Sequence, residues 1–263
     1  MKKIRTGLFG FGKAGKFVAS ELLENELFDL AWVVKRSQMR RIQYASQAFH
    51  LDEDRAAIYR EQDLSPEFFA KNEVDLIIDF SGVNGYKGYA PAAAQGVKIV
   101  SAISSYSGKA LAALRAYSAK TAVLYSPNIT LGINFLMIAS VLLQKIAPHA
   151  DIEIIEEHFR EKEDTSGTAL KIAKALGLDT EKRVNSIRVG GIVGKHEVIF
   201  GLKNQTIRLV HESISKAAFG QGAIFAAKWL MDKPNGFYTM EEAIIGLIRE
   251  NMPVGRDVSS KSK

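Results

Sequence analysis

The chain has 263 residues, a net charge of +6, 47% hydrophobic and 24% charged residues, and no cysteine. That length allows one large domain or two moderate ones with a sizeable core, and the composition is that of a soluble globular protein. Without cysteine there are no disulfides or thiolate metal sites, which fits a cytoplasmic protein and is the expected location.

The N-terminal MKKIRTGLFGFG is basic but broken by glycines, so no secretory signal is expected. No run of about 18 apolar residues suggests a membrane span, and no membrane association is expected. Basic residues are scattered apart from KRSQMRR (35–41) and the KSK tail. That pattern suits attraction of small phosphorylated or carboxylated molecules, and no nucleic-acid partner is expected.

Residues 4–9, IRTGLF, read as a short strand and are followed by Gly10-Phe11-Gly12-Lys13-Ala14-Gly15. FVASELLENE then has helical periodicity, and LAWVV (30–34) reads as a buried strand. Strand, glycine turn, helix and strand in that order make the GxGxxG a dinucleotide fingerprint. Gly10 would permit the tight turn, Gly12 the approach of a pyrophosphate and Gly15 close helix–strand packing. Where NAD-binding chains place an acid after the second strand, this one has Lys35 and Arg36, with no acid until Asp52. Two cations suit a ribose 2′-phosphate, so NADPH is expected to be favoured, with NADH accepted more weakly.

The α/β alternation continues. VDLIIDFS (74–81), VKIVSAI and TAVLYSPN read as strands, and GYAPAAAQG and KALAALRAYSAK as helices. Ligands of such sheets lie beyond the strand carboxyl ends, which places Ser81, Ser101, Pro127 and Asn128 near the cofactor. His50 falls in a polar segment and reads as a surface residue.

After Asn128 the pattern changes. GINFLMIASVLLQKIA reads as a long helix and DIEIIEEHF as a strand; VNSIRVGGIVGKHEVIFGL and QTIRLVHESI alternate like antiparallel strands. GQGAIFAAKWLMDK and TMEEAIIGLIRE read as helices returning to the first domain. The expected architecture is α/β: a Rossmann-like doubly wound parallel sheet (1–128), an α+β substrate and oligomerisation domain (129–218), and a C-terminal helical segment (219–263). If the chain stays extended past the DIEIIEEHF strand, His158, Arg160 and Lys162 share a face. Ser166-Gly167-Thr168 opens a helix whose Leu170, Ala173 and Leu176 form an apolar stripe. Hydroxyls and free amides there suit a carboxylate, although a capped helix beside a solvated charge run gives the same spacing.

Across nearly its full length the sequence resembles the 4-hydroxy-tetrahydrodipicolinate reductase (dihydrodipicolinate reductase) family. The resemblance rests on residues 156–162 (EEHFREK) with Ser166-Gly167-Thr168-Ala169, on Asp79-Phe80-Ser81, and on Pro127-Asn128 with Gly132 and Asn134. Residues 188–196 (RVGGIVGKH) and the FGQGA and AAKWL segments also match. It implies NAD(P)H-dependent reduction of a small cyclic dicarboxylate to tetrahydrodipicolinate, with His158 as general acid and Lys162 supporting a substrate carboxylate. Ser166, Gly167 and Thr168 would hold the other carboxylate, Phe80 and Ser104 would lie beside the cofactor, and the assembly would be a homotetramer.

Four departures stand out: Phe159 replaces the family's second histidine, Glu161 adds a negative charge, the loop before Ser166 is one residue short, and residues 101–104 read SAIS instead of G-T-T-G. They leave two alternatives open, a related NADPH-dependent dehydrogenase of another imino or amino acid and an NADPH-binding regulatory protein whose catalytic site has decayed. His196 and His211 lie in strand-like runs and are expected to be packed or edge histidines, and no metal is expected.

Overall fold

The computed structural model describes residues 2–37 and 42–252. Residues 38–41 of the basic run and 253–263, with the KSK tail and the end of the expected third segment, lie outside the described residues.

The first sheet has seven parallel strands in the order β11-β6-β5-β4-β1-β2-β3. In chain order these are β1 (Ile4–Phe9), β2 (Phe28–Lys35), β3 (Ala57–Arg60), β4 (Leu76–Asp79), β5 (Lys98–Ser101), β6 (Ala122–Tyr125) and β11 (Gly236–Thr239). The central strands are buried on both faces, so they read as near-continuous apolar runs. Leu8, Ile78 and Leu124 face α1 (Lys13–Glu24), α7 (Ala218–Met231) and α8 (Met240–Asn251). Phe9, Ile77, Val123 and Trp32 face α2 (Pro66–Lys71), α3 (Ala90–Ala94) and α4 (Gly108–Tyr117). Helices on both faces make this a doubly wound, Rossmann-like sheet, as the sequence pattern predicts. Through β11, which pairs with β6, and α7, the chain returns to this sheet after the second one.

The second sheet is mixed, in the order β10-β9-β7-β8. Strands β7 (Asp151–His158), β9 (Lys195–Leu202) and β10 (Gln205–Glu212) are antiparallel neighbours, whereas β8 (Val184–Arg188) runs parallel to β7. The expected antiparallel arrangement therefore holds for β9 and β10 only. Alternation marks the inward face of a strand but carries no direction, and here α6 (Gly167–Ala175) crosses over between β7 and β8. One sheet face packs on α6 and α5 (Leu131–Ile146). The buried stripe of α6 is Ala169, Ile172, Ala173 and Leu176, at the i, i+3, i+4, i+7 spacing. Leu170, expected in that stripe, is exposed. His50 is exposed, in the left-handed conformation that ends a short 3-10 helix. No helix of the described residues is long and apolar enough to cross a membrane.

Candidate active site

Two cavities lie along the carboxyl ends of the parallel strands and meet at Phe80, which lines both. The smaller, about 260 Å³, is walled by residues 9–12 after β1, by Lys35 and Arg36 at the end of β2, and by Ser81 after β4. Its glycines meet the demands of a dinucleotide. Gly10 has φ +97°, and a Cβ there would stand 2.5 Å from the Phe80 carbonyl. A Cβ on Gly15 would overlap the Gly10 carbonyl oxygen, so the turn packs directly on α1. Gly12 has nothing within 4 Å of a Cβ position, which leaves its backbone open beside the start of the helix. Glu61, at the end of β3, shares the wall with the two cations.

The larger cavity, about 540 Å³, lies between the two sheets. The first sheet contributes Ala14, Phe80, Ala102, Ser104, Pro127 and Asn128. The second contributes His158, Gly167, Thr168, Lys171, Gly194, His196 and His211. Asn128 connects the two sides, donating through Nδ2 to Thr168 Oγ1 at 3.3 Å.

Strand register assembles the wall around His158. Ser186, Glu156, His196 and His211 pair across β8, β7, β9 and β10, and so lie in one row on one face. His158, two residues on from Glu156, faces the same way. Glu156 is fully buried. Its Oε1 accepts from Arg188 (2.6 Å), the Ser186 hydroxyl (2.6 Å) and the Ser166 amide (3.1 Å). Its Oε2 lies 2.9 Å from an Arg188 nitrogen and 2.5 Å from His158 Nδ1. Burial alone would raise the pKa of this carboxyl, but hydrogen bonds from Arg188, Ser186, Ser166 and His158 outweigh it and lower it to about 2. The carboxylate can therefore only accept, which puts a proton on His158 Nδ1 and leaves Nε2 toward Gly194, where a Cβ would stand 3.0 Å from it. Gly194 makes room for the ring.

His196 is buried and its Nε2 is 2.8 Å from Ser166 Oγ. Burial, reinforced by neighbouring His158, lowers its pKa to about 4. Burial also lowers that of His211. His196 is thus a packed histidine, as expected, and also part of the cavity wall.

The sequence-predicted residues separate into three groups. Gly10, Phe11, Gly12, Lys35, Arg36, Phe80 and Ser81 line the smaller cavity; Ala14, Phe80, Ser104, Pro127, Asn128, His158, Gly167 and Thr168 line the larger. Lys13, Gly15, Ser101, Lys162 and Ser166 line neither. Lys13 is exposed on the first turn of α1, and Gly15 is buried beneath Gly10. Ser101 is fully buried, and its hydroxyl lies 3.0 Å from Tyr106 Oη, which donates to Asp79. The side chain that stands where the family carries glycine is thus directed away from the cavities. Ser166 caps α6 and is buried between Glu156 and His196. The chain does not stay extended past β7. It turns, with the Lys162 amide bonded to the Phe159 carbonyl, so His158, Arg160 and Lys162 do not share a face. The Lys162 ammonium donates to the Asp164 carbonyl at 2.6 Å.

Sequence reasoning missed Glu61, Glu156 as the anchor of His158, Lys171, and the cavity-facing positions of His196 and His211. Glu156 and His196 sit inside quoted motifs, but their roles depend on pairing between strands distant in sequence.

The profile described as "Dihydrodipicolinate reductase, N-terminus" matches residues 4–129, and "Dihydrodipicolinate reductase, C-terminus" matches residues 131–244. The chain is 32% identical over 255 residues to the 4-hydroxy-tetrahydrodipicolinate reductase of Caldanaerobacter subterraneus subsp. tengcongensis, covering 89% of this chain and 94% of that one. It is 29% identical to the protein of the same name from Syntrophus aciditrophicus, covering 93% and 98%. Among solved structures, the dipicolinate-bound dihydrodipicolinate reductase from Paenisporosarcina sp. TG-14 superposes with a TM-score of 0.73 at 19% identity, covering 93% of this chain and all of the other. At that identity the likeness shows the fold.

Proposed function

This chain belongs to the dihydrodipicolinate reductase family, and from that premise we propose that it uses His158 as proton donor and prefers NADPH to NADH. The reaction is reduction of 4-hydroxy-tetrahydrodipicolinate in lysine and diaminopimelate biosynthesis. The observation that carries the site reading is the composition of the larger cavity's wall. A histidine anchored by a buried carboxylate, the start of α6 and a lysine face one space, with no acid among the described residues of that wall.

Gly10 and Gly12 would bring the backbone against the pyrophosphate, and Lys35 and Arg36 would meet a 2′-phosphate. Glu61 beside them suits a free ribose diol, which supports NADH as a weaker second cofactor. The nicotinamide, when bound, supplies the hydride for the substrate ring. His158 holds the proton for the adjacent ring carbon on Nε2, while Glu156 on Nδ1 fixes the ring's orientation and balances its charge in the cationic form. The free amides and hydroxyl at Gly167 and Thr168 receive one carboxylate. Lys162 remains the second cation of this reading and would exchange its Asp164 partner for substrate. Ser166 acts from behind the wall, holding the start of α6 to Glu156 and His196.

A homotetramer formed through the second sheet accompanies this reading. Exposed Ile187, Val189 and Val210 on or beside its strands support it, and a monomer by light scattering at micromolar concentration would count against it. The cofactor preference is tested with freshly generated substrate and each cofactor in turn. A higher kcat/KM with NADPH supports it, and equal values remove it.

A further inference from the structure

We propose that Lys171 is the principal cation receiving a substrate carboxylate in the cavity between the sheets, a role the family resemblance gives to Lys162. The proposal rests on the reading above that the substrate is a dicarboxylate.

Lys162 is drawn away from the cavity. The turn after β7 is tied to Arg188, whose Nε donates to the Lys162 carbonyl at 2.8 Å and whose terminal nitrogen donates to the Asp164 carbonyl at 2.9 Å. The Lys162 ammonium is taken up by that same Asp164 carbonyl. Arg188 is itself paired with buried Glu156, so the tether belongs to the structure that anchors His158.

Lys171 stands on the wall. It lies one turn beyond Thr168 on α6, and Cα–Cβ bonds of a helix tilt toward its N-terminus, so its stem runs back over the turn that carries Gly167 and Thr168. That is an unfavourable place for a cation, because the first turn of a helix already carries partial positive charge. Among the described residues Lys171 has no ion-pair partner. The wall residues that carry ionisable side chains are His158, Lys171, His196 and His211. Burial disfavours the cationic forms of His196 and His211, so Lys171 and the start of α6 carry the positive potential of this wall, and a dianion placed there offsets it. Phe159, which replaces the family's second histidine, is exposed and off the wall, so the polar donor missing at that position is supplied from α6 instead.

The test titrates dipicolinate (pyridine-2,6-dicarboxylate) into the NADPH-bound wild-type protein and its Lys171→Met, Lys171→Arg and Lys162→Met variants. Turnover of the substrate is measured in parallel, and NADPH binding confirms that each variant is folded. Lys171→Met is expected to weaken dipicolinate by about tenfold or more and to raise the substrate KM by more than kcat falls. Lys171→Arg keeps the charge and should stay within about threefold of wild type, and Lys162→Met should cost less than Lys171→Met. Unchanged dipicolinate affinity in Lys171→Met, or a larger loss in Lys162→Met, overturns the proposal while wild-type turnover leaves the functional reading standing. A wild-type protein that neither turns over the substrate nor binds dipicolinate overturns that reading, and the role of Lys171 with it.

Discussion

Replacing Glu156 with glutamine keeps the side chain's size, removes its charge and puts two N–H donors among groups that themselves donate. Arg188, Ser186, the Ser166 amide and His158 Nδ1 all point at the present carboxylate. One amide oxygen cannot serve them all. Removing one partner of a buried ion pair costs about 3–5 kcal/mol. The Arg188 side chain keeps 18% exposure, so the lower end of that range, about 3 kcal/mol, is expected. The pKa leads to a similar figure: lowering it from 4.5 to about 2 favours the ionised form by roughly 3 kcal/mol. Urea unfolding of Glu156→Gln at pH 7 should therefore show that loss. Because Glu156 also anchors the catalytic ring, kcat should fall by about 10- to 100-fold with a shifted pH profile, while NADPH affinity stays unchanged. A purely structural role would lower stability and leave the pH profile of kcat in place. Wild-type stability together with a kcat within about twofold of wild type would refute the assignment of Glu156 as the anchor.

Two further predictions concern the cofactor and pH. Lys35→Ala with Arg36→Ala should lower kcat/KM for NADPH by about tenfold or more and leave that for NADH within about threefold, and an equal loss for both would remove the two cations from cofactor selection. His196, with a folded pKa of about 4 against 6.5 unfolded, is neutral in the native protein while the unfolded chain takes up a proton. Its contribution is present above pH 6.5 and is lost as pH falls toward 4, by up to roughly 3 kcal/mol. Glu156 follows at lower pH, with its contribution present above 4.5 and lost as pH falls toward 2. Urea midpoints from pH 7 to 4.5 that do not move, or a His196→Phe variant with the wild-type slope, would contradict this reading.

The parts of the molecule legible in the sequence are those fixed by local constraints. The run from Gly10 to Gly15 sits between a strand and a helix because only glycine tolerates φ +97° at position 10 and direct backbone packing at position 15. Buried strands such as LIID and AVLY announce themselves by continuous apolar character. Strands β3 and β11 escaped detection because they lie at the two sheet edges, are four residues long and are only half-buried. The direction of β8 was hidden because period-two alternation is the same for either pairing. At the site, His158 was visible from its motif, but its anchor was not. The row Ser186, Glu156, His196 and His211 exists only through register between four strands. Ser101 was placed near the cofactor because sequence position cannot tell that its hydroxyl joins the Tyr106 and Asp79 network inside the sheet. Nothing in the sequence marks Lys171, an exposed residue of an amphipathic helix, as part of a cavity wall.

The measurement that bears most directly on the account compares wild-type protein and His158→Gln with freshly generated 4-hydroxy-tetrahydrodipicolinate, following loss of NADPH absorbance and identifying the product. The account predicts rapid substrate-dependent oxidation to tetrahydrodipicolinate by the wild type. The variant should still bind NADPH and dipicolinate but turn over about 10²- to 10⁴-fold more slowly. Wild-type protein that binds NADPH yet leaves it unoxidised, or a variant as fast as wild type, would contradict it.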